Sequence, residues 1–160
     1  MNVRIAVRED FPAMMEIYRG AQERMIFSGN PSQWGRRYPT GALILTDIDH
    51  AVCRVVEENG AVCGVFSVFT GREPTYTNIR GAWRNDEPYL TIHRIASNGA
   101  VHGVFRCAAD YCKTLCDNIR ADTHKDNFAM RHLLKSNWFV SCGIIRVADG
   151  SERIAYHWVK

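Results

Sequence analysis

Apolar residues recur along the chain at two spacings, every second residue and every third or fourth residue. The first spacing predicts strands and the second predicts helices, because each places the apolar residues on one face. In chain order the pattern predicts β α α β β β α β α β β. The predicted strands are 3–7, 51–57, 61–69, 89–96, 118–122, 139–147 and 153–159, and the predicted helices are 11–27, 43–50, 103–117 and 127–137.

Short polar clusters are predicted to end these elements. Asn59-Gly60, between the second and third strands, is typical of a two-residue hairpin turn. Residues 148–151 predict a second hairpin between the last two strands. Asp10 is predicted to cap the first helix, and Asp126 or Asn127 the last one.

A strand, a glycine-bearing turn and a helix follow one another in residues 89–105. Ser97-Asn98-Gly99 ends the strand, and the helix begins near Gly103. The free N–H groups and the positive dipole end of such a helix suit a phosphate group, although most turns of this kind only connect two elements. Strand 118–122 is expected to pair in parallel with strand 89–96, because a helix connects them. The prediction is one α+β domain, residues 1–160, with helices packed on a mixed sheet.

Two long loops, 29–42 and 70–88, are rich in glycine, proline and polar residues. Loops of this length are uncommon unless they cover a site, but their rings could also simply pack on the edge of the core. Charged residues of the second loop, Glu73 among them, are expected either to orient a charged substrate or to be solvated. We expect a substrate crevice between the loops, lined by their aromatic residues Trp34, Tyr38, Tyr76 and Trp83.

The composition fits a globular domain and narrows its partners. Apolar residues make up 46% of the 160 residues, which is enough for a sizeable core. The net charge of +3 is too mild and too evenly spread to indicate nucleic-acid binding. No apolar segment is long enough to span a membrane, and residues 1–4 lead directly into a strand, so we expect a cytoplasmic protein without a signal peptide.

The six cysteines are predicted to be free thiols. None forms a C-x-x-C pair and no paired histidine spacing completes a zinc motif, so no metal site is expected. Buried thiols behave as small hydrophobic side chains, and free thiols fit a reducing compartment.

The element order and several motifs resemble the GNAT superfamily of acetyl-CoA-dependent N-acetyltransferases. The resemblance covers essentially the whole chain and rests on GNPSQWG at 29–35, IHRIAS at 92–97, IRADTHKDN at 119–127 and CGII at 142–145. It implies a mixed, mostly antiparallel central sheet with a parallel splayed pair in the middle, flanked by helices on both faces. It also implies acetyl-CoA as the acetyl donor and a small-molecule amine as the acceptor.

The resemblance also assigns residues to the cofactor. The strand near Ile95 holds the pantetheine arm by backbone hydrogen bonds, and the N–H of Ile95 is the oxyanion donor. The next loop wraps the pyrophosphate, although only Gly103 survives of the pattern Gln/Arg-x-x-Gly-x-Gly/Ala. Asn127 begins the helix that contacts the cofactor arm. The predicted cofactor-binding residues are Ile95, Ala96, Val101, His102, Gly103, Val104, Phe105, Asn127 and Met130.

The acid and base of the reaction are less defined. The superfamily often has a tyrosine where this chain has Leu134, so another group or water must protonate the coenzyme A thiolate. His93 and His124 are the candidate general bases, because imidazole titrates near neutral pH. Glu57 and Glu58 are further candidates, and a base acting through water is an alternative. Each histidine also has a purely structural interpretation.

Several functions therefore stay open. The leading one is N-acetylation of a small-molecule or amino-acid-like amine. The alternative is a GNAT-fold acyl-CoA-binding or sensing module that has lost turnover, which Leu134 and the incomplete loop pattern favour. An unrelated α+β interaction domain is the third. The last strand, with Tyr156-His157-Trp158, is expected to be exposed and able to pair with a second copy in a homodimer.

Overall fold

Eight strands and four helices form the protein in a computed structural model that describes residues 1–160. Two short 3₁₀ turns lie at Arg8–Asp10 and Pro74–Tyr76. No helix has the length and apolar character needed to cross a membrane. The strands are β1 (Asn2–Ile5), β2 (Cys53–Glu58), β3 (Ala61–Thr70), β4 (Ile79–Gly81), β5 (Leu90–Ser97), β6 (Asn118–Thr123), β7 (Val140–Arg146) and β8 (Glu152–Val159), and the helices are α1 (Phe11–Phe27), α2 (Gly41–Asp49), α3 (Val104–Leu115) and α4 (Phe128–Ser136).

All eight strands join in one sheet, in the order β1-β2-β3-β5-β6-β8-β7-β4. Every neighbouring pair is antiparallel except β5 and β6. The parallel pairing is limited to Leu90 opposite Ile119 and Thr91 opposite Arg120, and the strands separate beyond it. The predicted mixed sheet with a splayed parallel pair is therefore confirmed.

Helices cover both faces of the sheet, as predicted. Helices α1 and α2 pack on one face, where Val55 and Val65 alternate with residues that point the other way. Helices α3 and α4 pack on the opposite face, against Val56 and Phe66. A smaller cluster around Tyr76 forms where residues 70–89 fold over the sheet beyond β5.

The firmest local prediction, the hairpin between β2 and β3, is confirmed. Asn59 and Gly60 have φ angles of 52° and 80°, the left-handed values that a two-residue hairpin turn requires. The predicted cap of α4 is also confirmed, because the Asn127 side chain accepts a hydrogen bond from the N–H of Met130 at 3.1 Å.

Three local expectations were wrong. The Asp10 carboxylate does not cap α1; it accepts from the N–H of Val7 at 2.8 Å and binds Arg4. Residues 70–88 are not only loop, since they contain β4, which pairs with β7. The last strand, β8, is not an edge strand, because it lies between β6 and β7. It therefore offers no free edge to a second copy.

Candidate active site

A cavity of about 630 Å³ lies where β5 and β6 separate. Its walls come from distant parts of the sequence that the fold brings together at the open end of the parallel pair. They are Met25 of α1, residues 32–38 of the loop after it, 92–95 of β5, Phe105 of α3, 121–123 of β6, the α4 cap Asn127 with Met130 and Leu134, and 147–149 with Arg153 of the β7–β8 hairpin.

A β-bulge in β5 forms one wall of the cavity. Val65 of β3 lies opposite Ala96, and Ser67 lies opposite His93, so Arg94 and Ile95 together face the single residue between them on β3. Arg94 has a φ of 53°, a conformation that costs a non-glycine residue about 1 kcal/mol or more. Tyr18 of α1 stabilises it by donating a hydrogen bond to the Arg94 carbonyl at 3.0 Å. Residues 93–95, at the bulge, all line the cavity.

The Arg94 side chain ties the bulge to α2 and to the first long loop. Its Nη2 forms a buried ion pair with Asp47, and its Nη1 donates to the Tyr38 hydroxyl at 3.1 Å. Asp47 also accepts from Ser67 Oγ at 3.0 Å. The guanidinium lies 5.1 Å from the centre of the Phe69 ring. These contacts hold the strained backbone in one geometry.

His93 is held between two carboxylates. Its Nε2 lies 3.3 Å from Glu73 Oε2, and its Nδ1 lies 4.0 Å from Asp122 Oδ1. The hydrogen bond from His93 lowers the pKa of Glu73 to about 2, with further bonds from Thr75. Asp122 also accepts from the Tyr76 hydroxyl at 2.7 Å. Donation from Nε2 to Glu73 leaves Nδ1 as the basic nitrogen of the neutral ring.

Gln33, in the GNPSQWG motif, connects the first long loop to α4. Its Oε1 accepts from the side-chain amides of Asn30 at 2.9 Å and Asn127 at 3.0 Å. Thr123 Oγ1 and the N–H of His124 each lie 3.4 Å from the same oxygen. One amide oxygen therefore fixes the loop against the end of β6 and the start of α4.

The predicted cofactor residues divide into two groups. Ile95, Phe105, Asn127 and Met130 line the cavity, as does Leu134, whereas Ala96 and residues 101–104 do not. Gly103 has a φ of 87° and precedes α3, whose first N–H groups donate to no capping side chain. Phe105 does not obstruct this turn, because its ring is buried and packs edge-on against Phe139 at 6.2 Å.

The predicted substrate residues divide in the same way. Trp34 and Tyr38 line the cavity, and Trp34 also packs on the core beside α1. Tyr76 and Trp83 do not line it; they pack on each other, and Trp83 Nε1 donates to the Tyr76 carbonyl at 3.0 Å. Tyr76 reaches the site through its hydrogen bond to Asp122 and through its ring, whose centre lies 6.2 Å from that of His93.

The other base candidates lie outside the cavity. Glu57 pairs with Arg4, and Glu58 with the amino group of Met1. The ring of His124 accepts from the N–H of Asp126 at 3.3 Å, and burial together with the charge of Arg153 lowers its pKa. Of the four candidates, His93 alone lines the cavity.

Sequence reasoning missed the partners of these residues. Glu73 follows β3 by three residues and His93 lies on β5, and no local spacing predicts that they meet. The same holds for Asp47 with Arg94 and for Gln33 with Asn127. The available signal was weak: a polar residue at an otherwise apolar helix or strand position, such as Asp47 within GALILTDID.

Solved structures that share this fold include acetyltransferases. A GNAT-family acetyltransferase from Streptococcus agalactiae 2603 is 28% identical, with a TM-score of 0.91 over 99% of this chain and 95% of its own. Ribosomal-protein-alanine N-acetyltransferase from Brucella melitensis is 19% identical, with a TM-score of 0.65 over the whole of both chains. The protein yncA from Salmonella typhimurium, solved with its cofactor acetyl-CoA, is 17% identical, with a TM-score of 0.62 over 99% of this chain and 92% of its own.

No protein-family model and no curated protein sequence matches the chain. The structural likeness nevertheless extends over 99% of the chain. The chain therefore has the fold of GNAT-family acetyltransferases, a fold that supports acetyl transfer.

Proposed function

We propose that the protein is an acetyl-CoA-dependent N-acetyltransferase that acetylates the amine of a small-molecule or amino-acid-like acceptor. The observation that carries the proposal is the opening between β5 and β6, with a β-bulge at Arg94 and Ile95 beside a cavity of about 630 Å³. A cavity of this size suits a small ligand together with the end of a cofactor arm.

The residues present fit the proposed cofactor. The turn that ends in Gly103 opens α3 with uncapped N–H groups at the positive end of the helix, which suits a diphosphate. Residues 101–105 are the proposed donors to it. Ile95 and Ala96 are proposed to bind the pantetheine arm from β5, and Asn127 and Met130 from α4.

Acetyl-CoA, when bound, supplies an acetyl group activated as a thioester. His93 is proposed to accept the amine proton at Nδ1, while Glu73 holds its Nε2. The N–H of Ile95 is proposed to donate to the carbonyl oxygen as negative charge develops there. His124 is the weaker base candidate because its ring already accepts a backbone hydrogen bond. Leu134 has no acidic proton to donate. The proton that the thiolate takes up as the C–S bond breaks therefore comes from another group or from water.

Two measurements test the proposal. Isothermal titration should show acetyl-CoA binding, and a thiol-release assay over a panel of amines should show turnover that depends on the amine. Substituting His93→Gln should lower kcat at least roughly a hundredfold with little change in acetyl-CoA affinity, because general bases typically contribute about 10²–10⁴. Protein that gives no heat and no thermal shift at saturating acetyl-CoA would refute the proposal.

A charge placed at the α3 turn tests the cofactor position. Substituting His102→Glu should weaken acetyl-CoA binding roughly tenfold by placing a carboxylate near the diphosphate. His102 suits this test better than Gly103, whose φ of 87° strains any larger residue. His50→Glu, an exposed change at the end of α2, is the control and should bind like the parent. Unchanged affinity in His102→Glu would place the diphosphate elsewhere.

A binding or sensing module without turnover is the second candidate. The observation that favours it is the fully buried Leu134 on the cavity wall, at the position where the superfamily often has its tyrosine acid. Acetyl-CoA binding without thiol release from any amine would support this candidate over the enzyme.

A further inference from the structure

Three arginines are buried around the splayed strands, and a buried guanidinium requires a partner. Arg94 has the carboxylate of Asp47. Arg120, 4% exposed, lies between the rings of Trp83 and Tyr89, 4.2 and 3.9 Å from their centres. Arg153, 6% exposed, contacts neither a carboxylate nor an aromatic ring.

The contacts of Arg153 leave most of its hydrogen-bonding capacity unused. Its Nη1 donates to Ser151 Oγ at 2.7 Å and to the Glu152 carbonyl at 3.0 Å. Its Nε and Nη2 bond to no protein atom, and it forms no ion pair. Asp149, on the same hairpin, is exposed and forms no ion pair with Arg153. Ser151 connects the two, because its Oγ donates to Asp149 and accepts from Arg153 Nη1. The unused donors belong to a residue of the cavity wall.

A carboxylate on the opposite strand lies close to Arg153. Asp122 of β6 pairs with Ala155 of β8, and Arg153 is two residues from Ala155. Asp122 and Arg153 are therefore diagonal neighbours on one face of the sheet, roughly 7–8 Å apart at the backbone. Asp122 also lines the cavity, next to His93.

We propose that Arg153 binds a carboxylate of the acceptor, so that the acceptor is an amino acid or another amine that carries a carboxylate near its amino group. The amine lies toward His93 and Asp122, and the carboxylate lies toward Arg153. The opposite charges on diagonal positions match the two charged ends of such a molecule. Arg36 and Arg37, exposed on the cavity wall and without ion pairs, add further positive charge.

The phosphates of acetyl-CoA are a less suitable partner for Arg153. Of the proposed diphosphate donors at 101–105, only Phe105 lines the cavity, whereas the whole turn before it lies outside the cavity that Arg153 lines. They lie at the start of α3, which is connected to β5 and β6, whereas Arg153 lies near the start of β8 on the far side of β6. The inference rests on the proposed function for the position of the amine.

The experiment compares L-amino acids with their carboxamides, which keep the amine but lose the carboxylate charge. Binding of each to the protein saturated with coenzyme A is measured by isothermal titration, and turnover by thiol release. At least one amino acid should bind the parent protein tenfold or more tighter than its amide. Arg153→Gln should remove that preference, Arg153→Lys should retain part of it, and both should keep the parental affinity for acetyl-CoA.

Arg146→Gln is the matched control, because Arg146 is exposed on the same hairpin and outside the cavity. It should keep the preference for the amino acid. The inference is overturned if no amino acid or amide of the panel binds, or if the amides bind as tightly as the amino acids. It is also overturned if Arg153→Gln weakens the binding of amino acids and amides equally, or weakens acetyl-CoA binding instead. A carboxylate preference without thiol release would support the inference while refuting the proposed turnover.

Discussion

The two ends of the β5–β6 pair hold a buried arginine in different ways. At the closed end, Arg120 is paired in the sheet with Thr91 and His157, and two aromatic rings enclose its charge. At the open end, Arg94 lies in a bulge with a left-handed backbone, and the carboxylate of Asp47 balances its charge. One arginine is part of a regular sheet, and the other stabilises an irregular one.

The difference follows from what each end must do. The closed end only covers the sheet, and burial, together with the charges of Arg120 and Arg84, lowers the pKa of His157 there to about 4. The open end keeps a cavity between separated strands, so backbone hydrogen bonds no longer fix its geometry. Long-range side-chain contacts from Asp47, Tyr38 and Tyr18 fix it instead. Unlike the closed end, the open end should therefore depend on the partner of its arginine.

The largest effect is expected for Arg94→Met. This change leaves the Asp47 carboxylate buried without its cation and should lower the free energy of unfolding by about 3–5 kcal/mol. Urea denaturation measures the loss. The second change Asp47→Asn, made in the Arg94→Met protein, should restore part of it because no buried charge remains.

Asp49→Asn, on the same helix, is the control for Asp47. Asp49 pairs with Arg8 at 2.6 Å, but both side chains are exposed, so the change should cost no more than about 1 kcal/mol. Equal losses from Asp47→Asn alone and Asp49→Asn alone would show that the buried pair does not hold the open end together.

A smaller effect is expected for Gln33→Met, which removes an acceptor while keeping the size of the side chain. The amides of Asn30 and Asn127 lose their shared oxygen, at a cost of about 1 kcal/mol for each bond. Because Asn127 is proposed to contact the cofactor, the acetyl-CoA dissociation constant of the Gln33→Met protein should be roughly fivefold higher than that of the parent.

Gln33→Glu separates the role of the acceptor from that of the amide group. The structure uses only Oε1 of Gln33, so glutamate keeps every accepted hydrogen bond. The affinity of the Gln33→Glu protein for acetyl-CoA, measured by isothermal titration, should stay within about twofold of the parent. If Gln33→Met and Gln33→Glu weaken acetyl-CoA binding equally, the oxygen of Gln33 does not position Asn127.

The sequence predicted the elements well because their patterns are local. The alternation in β2 and β3, the Asn59-Gly60 turn and the Asn127 cap each depend on residues a few positions apart. The three-residue strand β4 was missed because so short a segment has no periodicity. Its strand character comes from pairing with β7 at the edge of the sheet.

The candidate site was predicted in outline and missed in detail. His93, Trp34 and Tyr38 line the cavity, whereas Tyr76 and Trp83, predicted there as aromatic residues of a long loop, pack in a separate cluster. The pairs that shape the site join residues 20 to 94 positions apart, such as His93 with Glu73 and Asn127 with Gln33. A single sequence contains no distance information of that kind, so these pairs emerge only from the packed sheet.

The smallest effect is expected at the closed end, for Arg120→Met. The change removes two cation–π contacts, worth about 0.5–2 kcal/mol each, and one hydrogen bond from Nη2 to the Asn85 carbonyl at 2.7 Å. It also removes the cost of burying a charge that has no carboxylate partner, and the methionine sulfur retains contact with both rings. These terms nearly offset each other, so urea denaturation should show a net loss of no more than about 1 kcal/mol. A loss as large as that of Arg94→Met would mean that the aromatic enclosure, and not the ion pair, is the stronger way in which this fold holds a buried arginine.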